Sequence, residues 1–111
     1  FRPEKKPVVV NQVSPDPAKA LLQKARKAFW NDDLATAESL YRDYLKQFPD
    51  NPDGYGELGN MLSSLGKLEE AARHYRKAAD LLKQQGDKDQ ADKLYEVLES
   101  IRIIRSSGES E

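Results

Sequence analysis

Cysteine is absent from the 111-residue sequence. Without cysteine the protein has no disulfides, no zinc–thiolate sites and no thiol nucleophile. The absence is compatible with reducing and with oxidising compartments, so it does not locate the protein. Histidine is nearly absent as well, since His74 is the only one. Neither a glycine-rich phosphate-binding loop nor a metal-ligand or nucleophile motif is found, so no cofactor and no metal site are predicted.

Long apolar runs are also missing. The longest comprises residues 8–10, all valine, whereas a membrane helix needs about 20 predominantly apolar residues. Neither sign of charge dominates, because 18 basic residues face 19 acidic ones for a net charge of -1. No basic stripe is visible, which argues against a nucleic-acid partner. The length fits one domain, and because the chain begins with Phe1 rather than Met we expect a piece of a longer protein.

Proline is confined to the N-terminal region and to one internal joint. All six prolines lie outside residues 18–48 and 53–111. A proline inside a helix costs about 3 kcal/mol, so both stretches are free to be helical. Residues 1–15 are predicted to form an extended arm without helical periodicity. Its valine run is either a sticky linker or a strand or groove-filling peptide.

Local signals divide the two proline-free stretches into helices. Asp16-Pro17 and Asn51-Pro52 are typical helix starts, since a capping side chain is followed by proline in the first turn. Residues 31–33, Gly66 and residues 85–87 are predicted turns, because they are rich in residues that tolerate turn or left-handed conformations. Four helices are therefore expected before residue 85.

A fifth helix is predicted from about residue 88 to residue 105. Its apolar residues recur at helical spacing: Ala91, Leu94, Tyr95, Leu98 and Ile101. This stripe can cover the exposed end of the preceding helix pair, as terminal caps do in stacked repeats. Residues 106–111 are small and polar and are predicted to be a flexible tail.

Internal repetition is the most informative feature of the sequence. At an offset of 34 residues, four pairs of identical residues coincide: Leu34 with Leu68, Ala37 with Ala71, Tyr41 with Tyr75, and Arg42 with Arg76. A 34-residue period built of helix–turn–helix units indicates a stacked helical repeat.

The second unit resembles the tetratricopeptide repeat family most closely. The family pattern of aromatic, Leu-Gly, turn glycine, small residue, aromatic and small residue is met at Tyr55, Leu58-Gly59, Gly66, Ala71, Tyr75 and Ala78. The first unit keeps the pattern at Ala25, Ala37, Tyr41 and Pro49. The departures are Leu21, Lys24, Asp32 and Tyr44 in the first unit and Lys83, in place of proline, in the second. The resemblance covers residues 18–85 and the helix that follows.

The resemblance implies an all-α fold, a right-handed superhelix of antiparallel helix pairs. Within a domain spanning 16–105, one repeat would occupy 18–51, the next 52–85, and a capping helix about 88–105. The stretch around Pro49 and Pro52 is then a joint between repeats rather than a flexible linker.

Small residues are expected where paired helices cross. Gly59, Ala37 and Ala71 have little or no side chain, so the helices can approach closely at these positions. Aromatic residues are then expected to fill the space between neighbouring units: Tyr41, Tyr55 and Tyr75.

In the family that the sequence resembles, the first helix of each pair lines a concave groove for a peptide or protein segment. By position, the first unit supplies Lys19, Leu22, Gln23, Arg26, Phe29 and Trp30. The second unit supplies Asp53, Gly56, Glu57, Asn60, Ser63 and Ser64. The resemblance therefore implies a non-catalytic protein-interaction module with no cofactor and no small-molecule substrate.

Trp30 and Arg26 are predicted to contribute most to binding, because tryptophan and arginine are enriched among binding hot spots. Together they favour an acidic segment that also carries an apolar residue. In the alternative, Phe29 and Trp30 pack against the arm or the adjacent turn. Gly56 either lets a ligand backbone approach or is merely tolerated. Binding of acidic chaperone tails is disfavoured, because the lysine and asparagine positions of relatives that clamp such tails carry other residues: Leu22, Arg26 and Glu57.

Two further functions remain open. Stacks of repeats with open ends expose apolar faces, so the chain is also a candidate for self-association. The third hypothesis is a regulatory domain tethered to a catalytic or membrane segment absent from this chain. His74 is expected to be a solvated surface residue. The carboxylates are expected to form helix-surface ion pairs: Glu38 with Arg42, Glu69 with Arg73, and Asp89 with Lys93.

Overall fold

The computed structural model describes residues 16–109, with side chains up to Ser106. The predicted N-terminal arm and residues 110 and 111 lie outside the described residues. Five helices follow one another: α1 (Pro17–Trp30), α2 (Leu34–Gln47), α3 (Pro52–Ser64), α4 (Leu68–Gln84) and α5 (Lys88–Glu109). Residues 16–109 contain no strand, which confirms the all-α prediction.

The chain divides into two compact units. The first ends at Tyr44, within α2, and the second begins at Leu45. In the second unit α4 packs against both α3 and α5.

Capping side chains begin α1 and α3 where the sequence predicts. Asp16 Oδ1 accepts hydrogen bonds from the backbone N–H groups of Ala18 at 3.0 Å and Lys19 at 3.4 Å. Asn51 Oδ1 accepts from the N–H of Asp53 at 3.0 Å. Both helices continue with proline, whose missing N–H would have no intrahelical partner at that position.

Three helix ends share one turn geometry. Asp32, Gly66 and Gly86 adopt left-handed φ angles of 65°, 81° and 90°. In each turn the next residue donates its N–H to the carbonyl five residues earlier: Asp33 to Ala28 at 2.9 Å, Lys67 to Leu62 at 2.9 Å, and Asp87 to Leu82 at 2.8 Å. This hydrogen bond belongs to the Schellman motif, which glycine usually completes. Asp32 takes the turn-glycine role in the first unit, as aspartate can at modest cost.

The buried hydrophobic residues of the second unit are Leu58, Met61, Leu62, Ala71, Tyr75, Ala78, Ala79, Leu81, Ala91 and Ile101. Of the apolar stripe predicted on α5, Ala91 and Ile101 are buried, whereas Leu94, Tyr95 and Leu98 are half-buried. Five of the buried residues lie on α4, which packs against both α3 and α5.

Helices α3 and α4 approach closely at Gly59, as predicted. A Cβ atom placed on Gly59 would lie 2.9 Å from both Cδ1 and Cε1 of the Tyr75 ring. Real Cβ atoms essentially never approach so closely. The Tyr75 ring therefore fills the space that glycine leaves, and its hydroxyl donates to Asn60 Oδ1 at 2.6 Å.

Substituting alanine for Gly59 or for Gly56 in α3 should change the stability of the protein in opposite directions. Gly59→Ala should be destabilising, because overpacking costs about 1–3 kcal/mol and the buried ring of Tyr75 cannot withdraw freely. Gly56→Ala should stabilise by about 0.5–1 kcal/mol, because a Cβ there meets nothing within 4 Å and alanine favours the helix. Urea unfolding of both variants checks this, and equal midpoints would contradict the crossing at Gly59.

The α5 helix is longer than predicted. It was expected to end about Arg105 but continues to Glu109. No proline follows Arg105, so nothing after it excludes further helix, although Ser107-Gly108 is a turn signal. Arg105 also pairs with Glu69 at 2.7 Å, which holds this part of α5 against the start of α4. Whether residues 106–111 are flexible stays a prediction.

Candidate binding cleft

A cleft of about 310 Å³ lies within the second unit, between α3, α4 and α5. Ten residues line it: Pro52, Asp53, Gly56, Glu57, Asn60, Tyr75, Leu82, Asp87, Gln90 and Leu94. Residues from α3 and from the start of α5 face each other across it, while α4 contributes Tyr75 and Leu82. A space of this size accommodates a few side chains, because small-ligand clefts begin at about 300 Å³.

The polar groups of the cleft are held in place by hydrogen bonds. Asn60 accepts from the Tyr75 hydroxyl at 2.6 Å, which orients its amide. Asp87 Oδ1 accepts from the N–H of Gln90 at 3.2 Å and so caps the first turn of α5. Burial raises the pKa of Tyr75 above its usual value, and a hydrogen bond with Ser63 opposes this effect. Tyr75 is therefore neutral at physiological pH and remains a hydrogen-bond donor.

The charged residues that line the cleft all carry the same sign. Asp53, Glu57 and Asp87 are acidic, and neither lysine nor arginine is among the ten lining residues. Leu82, Leu94 and the Tyr75 ring supply the apolar surface. The cleft thus combines negative charge with an apolar wall.

A comparison with protein families supports the resemblance seen in the sequence. Residues 40–73 match the family model described as a tetratricopeptide repeat. The match covers 34 of the 111 residues, and this segment is similar to a tetratricopeptide repeat. The matched segment runs from the second half of α2 through α3 into α4. A comparison with curated proteins gives no match. Tetratricopeptide repeats generally mediate protein–protein interactions.

Four of the six groove residues that the sequence predicts for the second repeat line this cleft: Asp53, Gly56, Glu57 and Asn60. Ser63 and Ser64 are not among its lining residues. The Ser64 hydroxyl instead donates to the carbonyl oxygen of Met61 at 2.7 Å, within its own helix.

Three lining residues on the far side of the cleft were missed by sequence reasoning: Asp87, Gln90 and Leu94. The helix that carries Gln90 and Leu94 was treated only as a cap. The repeat period could have found these residues. Asp87, Gln90 and Leu94 lie 34 residues after the predicted groove residues Asp53, Gly56 and Asn60. The same offset therefore extends the predicted groove register into α5.

The predicted groove residues of the first unit differ widely in exposure. Trp30 is 80% exposed, so it does not pack against the adjacent turn, and packing against the arm lies outside the described residues. Lys19 and Gln23 are exposed as well, whereas Arg26 and Phe29 are half-buried. Leu22 is only 4% exposed and belongs to the core. Its side chain offers little surface to a partner, so Leu22 is not among the contacts proposed below.

His74 is not the solvated residue that the sequence suggested. It is half-buried, its Nδ1 lies 2.9 Å from the carbonyl oxygen of Glu70, and its ring centroid is 6.3 Å from that of Tyr55. Tyr55 itself donates its hydroxyl to the carbonyl of Pro49 at 3.0 Å. The neighbouring aromatic ring, which a surface pattern does not reveal, accounts for the partial burial.

Ion pairs only partly follow the predicted spacing. Arg42 pairs with Glu38 at 2.6 Å, as expected for residues four apart on one helix. Glu69 pairs with Arg105 of α5 rather than with Arg73. Helical spacing identifies only partners within one helix, so it could not have found this contact.

The described part of the chain offers no group of three or more histidine, aspartate or glutamate side chains that could hold a metal ion. Within the same residues, no helix combines the length and the apolar character that crossing a membrane requires.

Proposed function

We propose that the tetratricopeptide region is a non-catalytic interaction module that binds a peptide or protein segment in the cleft between α3 and α5. The observation that carries this proposal is the convergence of four predicted groove residues on one cleft. That cleft combines oriented polar groups with apolar surface.

Gly56 suits the role of a contact with a ligand backbone. A Cβ atom on this residue would meet nothing within 4 Å, so open space lies directly above the helix. Asn60 and Gln90 line the same cleft and carry amide groups that can donate to and accept from a peptide backbone. Leu82 and Leu94 can take up an apolar side chain beside it.

Trp30 is the second proposed contributor, in the first unit. An indole that is 80% exposed leaves a large apolar area in water. Burying such area is favourable, and tryptophan is enriched at hot spots. Arg26 remains with Trp30 as a proposed contact.

Filling the cleft should weaken binding without unfolding the protein. In Gly56→Leu the new side chain enters open space, and leucine favours a helix over glycine. We expect the variant to bind a partner recovered by pull-down at least about fivefold more weakly in calorimetric titration, which corresponds to about 1 kcal/mol. Trp30→Ala should weaken binding by a similar amount.

The control is Arg73→Ala, which changes an exposed residue on α4 outside the cleft. It should leave the affinity unchanged. Loss of binding in Arg73→Ala, together with unaltered binding in Gly56→Leu and Trp30→Ala, would place the interaction on the outer surface of α4 and contradict the proposal.

Self-association is a second candidate, supported by apolar residues on α5. Val97, Ile103 and Ile104 are 38%, 53% and 57% exposed. Val97 and Ile104 are seven residues apart and therefore share one face of the helix. Sedimentation over a range of concentrations tests this function: a mass that rises with concentration in the wild type but not in Ile104→Lys would support it.

A further inference from the structure

The charge of the cleft is not a consequence of overall composition. The chain has 18 basic and 19 acidic residues, yet the charged residues lining the cleft are Asp53, Glu57 and Asp87. Basic residues outnumber acidic ones elsewhere in the same unit, along a depression on α4 and α5. This depression is lined by four basic residues, Arg73, Arg76, Lys77 and Arg105, and by two acidic ones, Glu69 and Asp80. The balance of charge therefore differs between the two surfaces. A concave surface lined by one sign of charge attracts ligands of the opposite sign.

Asp53 and Asp87 both line the cleft and hold equivalent positions in the repeat. They are one 34-residue period apart, and each stands at the start of a helix, α3 or α5. The positive end of a helix dipole amounts to about half a unit charge, so each full carboxylate charge outweighs it. Asp87 Oδ1 accepts one hydrogen bond from Gln90. A carboxylate has about four acceptor sites, so capacity for a ligand remains.

The apolar lining limits the ligand further. Leu82, Leu94 and the ring of Tyr75 border the same space as the two aspartates. At about 310 Å³ the cleft holds a few side chains but not a helix about 10 Å across. The fitting occupant is an extended segment with a cationic residue next to an apolar one.

We infer that the partner segment bound in this cleft is basic. Its lysine or arginine is held by Asp53 and Asp87, and its neighbouring apolar side chain packs on Leu82 and Leu94. This inference rests on the proposed function and names its partner chemistry. The basic segment inferred for the cleft differs from the acidic segment that Trp30 and Arg26 favour in the first unit. Charge-assisted hydrogen bonds to the two aspartates would give both attraction and orientation.

The test uses the full chain and two fluorescein-labelled synthetic octapeptides with blocked ends. One has the sequence Gly-Lys-Leu-Lys-Val-Lys-Leu-Gly, and in the other each lysine is replaced by glutamate. Fluorescence polarisation should show that the lysine peptide binds at least about tenfold more tightly. Its affinity should fall as salt is raised, because salt screens exposed charges.

Variants locate the charge dependence. The double variant Asp53→Asn, Asp87→Asn should bind the lysine peptide about tenfold more weakly. Asparagine is also a good N-cap, so α5 should keep its start. The control, Asp43→Asn with Asp92→Asn, makes the same change of net charge at exposed positions outside the cleft. It should bind as the wild type does.

Equal binding of the two peptides, no binding of the lysine peptide, or unchanged affinity in the Asp53, Asp87 double variant would each overturn the inference. The Gly56→Leu variant shows whether only the basic character of the partner is wrong or whether the cleft is not a binding site at all. If Gly56→Leu abolishes binding of a partner recovered by pull-down while the lysine peptide does not bind, the cleft is an interaction site for a different chemistry. If Gly56→Leu changes neither interaction, both proposals fail.

Discussion

Tyr75→Ala should lower the free energy of unfolding by about 3–5 kcal/mol, as is typical of large-to-small changes at buried aromatic sites. Tyr75 is 5% exposed, and its ring lies where a Cβ on Gly59 would otherwise be. Alanine would leave a cavity beside Gly59, where α3 and α4 approach closely, and the Asn60 side chain would lose its hydroxyl donor. Urea unfolding followed by circular dichroism measures the change.

Tyr75→Phe is the matched control, because it keeps the ring and removes only the hydroxyl. The expected loss is about 0.5–1.5 kcal/mol, the net contribution of one hydrogen bond. If Tyr75→Ala is no more destabilising than Tyr75→Phe, the ring is not a core element and the packing at Gly59 is described wrongly.

Removal of α5 should have the second large effect. A chain ending at Gly86 lacks the buried side chains of Ala91 and Ile101. It also lacks Tyr95, whose hydroxyl donates to Asp80 at 2.7 Å. It also uncovers the side of α4 against which α5 packs. The melting temperature should fall or the protein should aggregate. The exposed Glu69–Arg105 pair adds little to this loss, because surface ion pairs contribute at most about 1 kcal/mol.

Single substitutions at two isoleucines of α5 test the same contribution to stability without removing the helix. Ile101 is 5% exposed and Ile104 is 57% exposed. Ile101→Ala should cost about 2–5 kcal/mol, whereas Ile104→Ala should lie within about 0.5 kcal/mol of the wild type. Equal costs, or a truncated chain that melts as the wild type does, would show that α5 does not stabilise the unit.

Helix boundaries and turns could be predicted because they depend on local chemistry. Asp16 and Asn51 cap the helices that they precede, and Gly66 adopts the left-handed conformation that its turn needs. The family pattern also predicted Gly59 as a crossing point, because a residue without a side chain lets two helices approach closely. These features involve only neighbours in sequence or the 34-residue register.

The remaining features depend on contacts between helices. Burial of Leu81 reflects the packing of α4 on both sides, and the partner of Glu69 lies 36 residues away on α5. The far wall of the cleft was missed for a different reason. Once the last helix was interpreted as a cap, the register that places Asp87 opposite α3 was not extended to it.

The contribution of the first unit to binding stays a prediction. Arg26 and Trp30 favour an acidic ligand in the first unit. The cleft of the second unit is lined by acidic residues and favours a basic ligand. A partner with a basic stretch and a separate acidic stretch would satisfy both sets of residues. The charge-changing variants at Asp53 and Asp87 test whether the second unit needs a basic stretch, and they leave Arg26 and Trp30 of the first unit unchanged.

Mapping a partner onto the backbone amides by NMR tests the central claim most directly. The ¹H–¹⁵N spectrum of the full chain is recorded during titration with a partner recovered by pull-down. If the cleft between α3 and α5 is the binding site, the largest shift changes will fall on Asp53, Gly56, Asn60 and Gln90. If they cluster instead on Arg73, Arg76 and Lys77 of α4 while the cleft amides stay unchanged, the cleft is not the binding site.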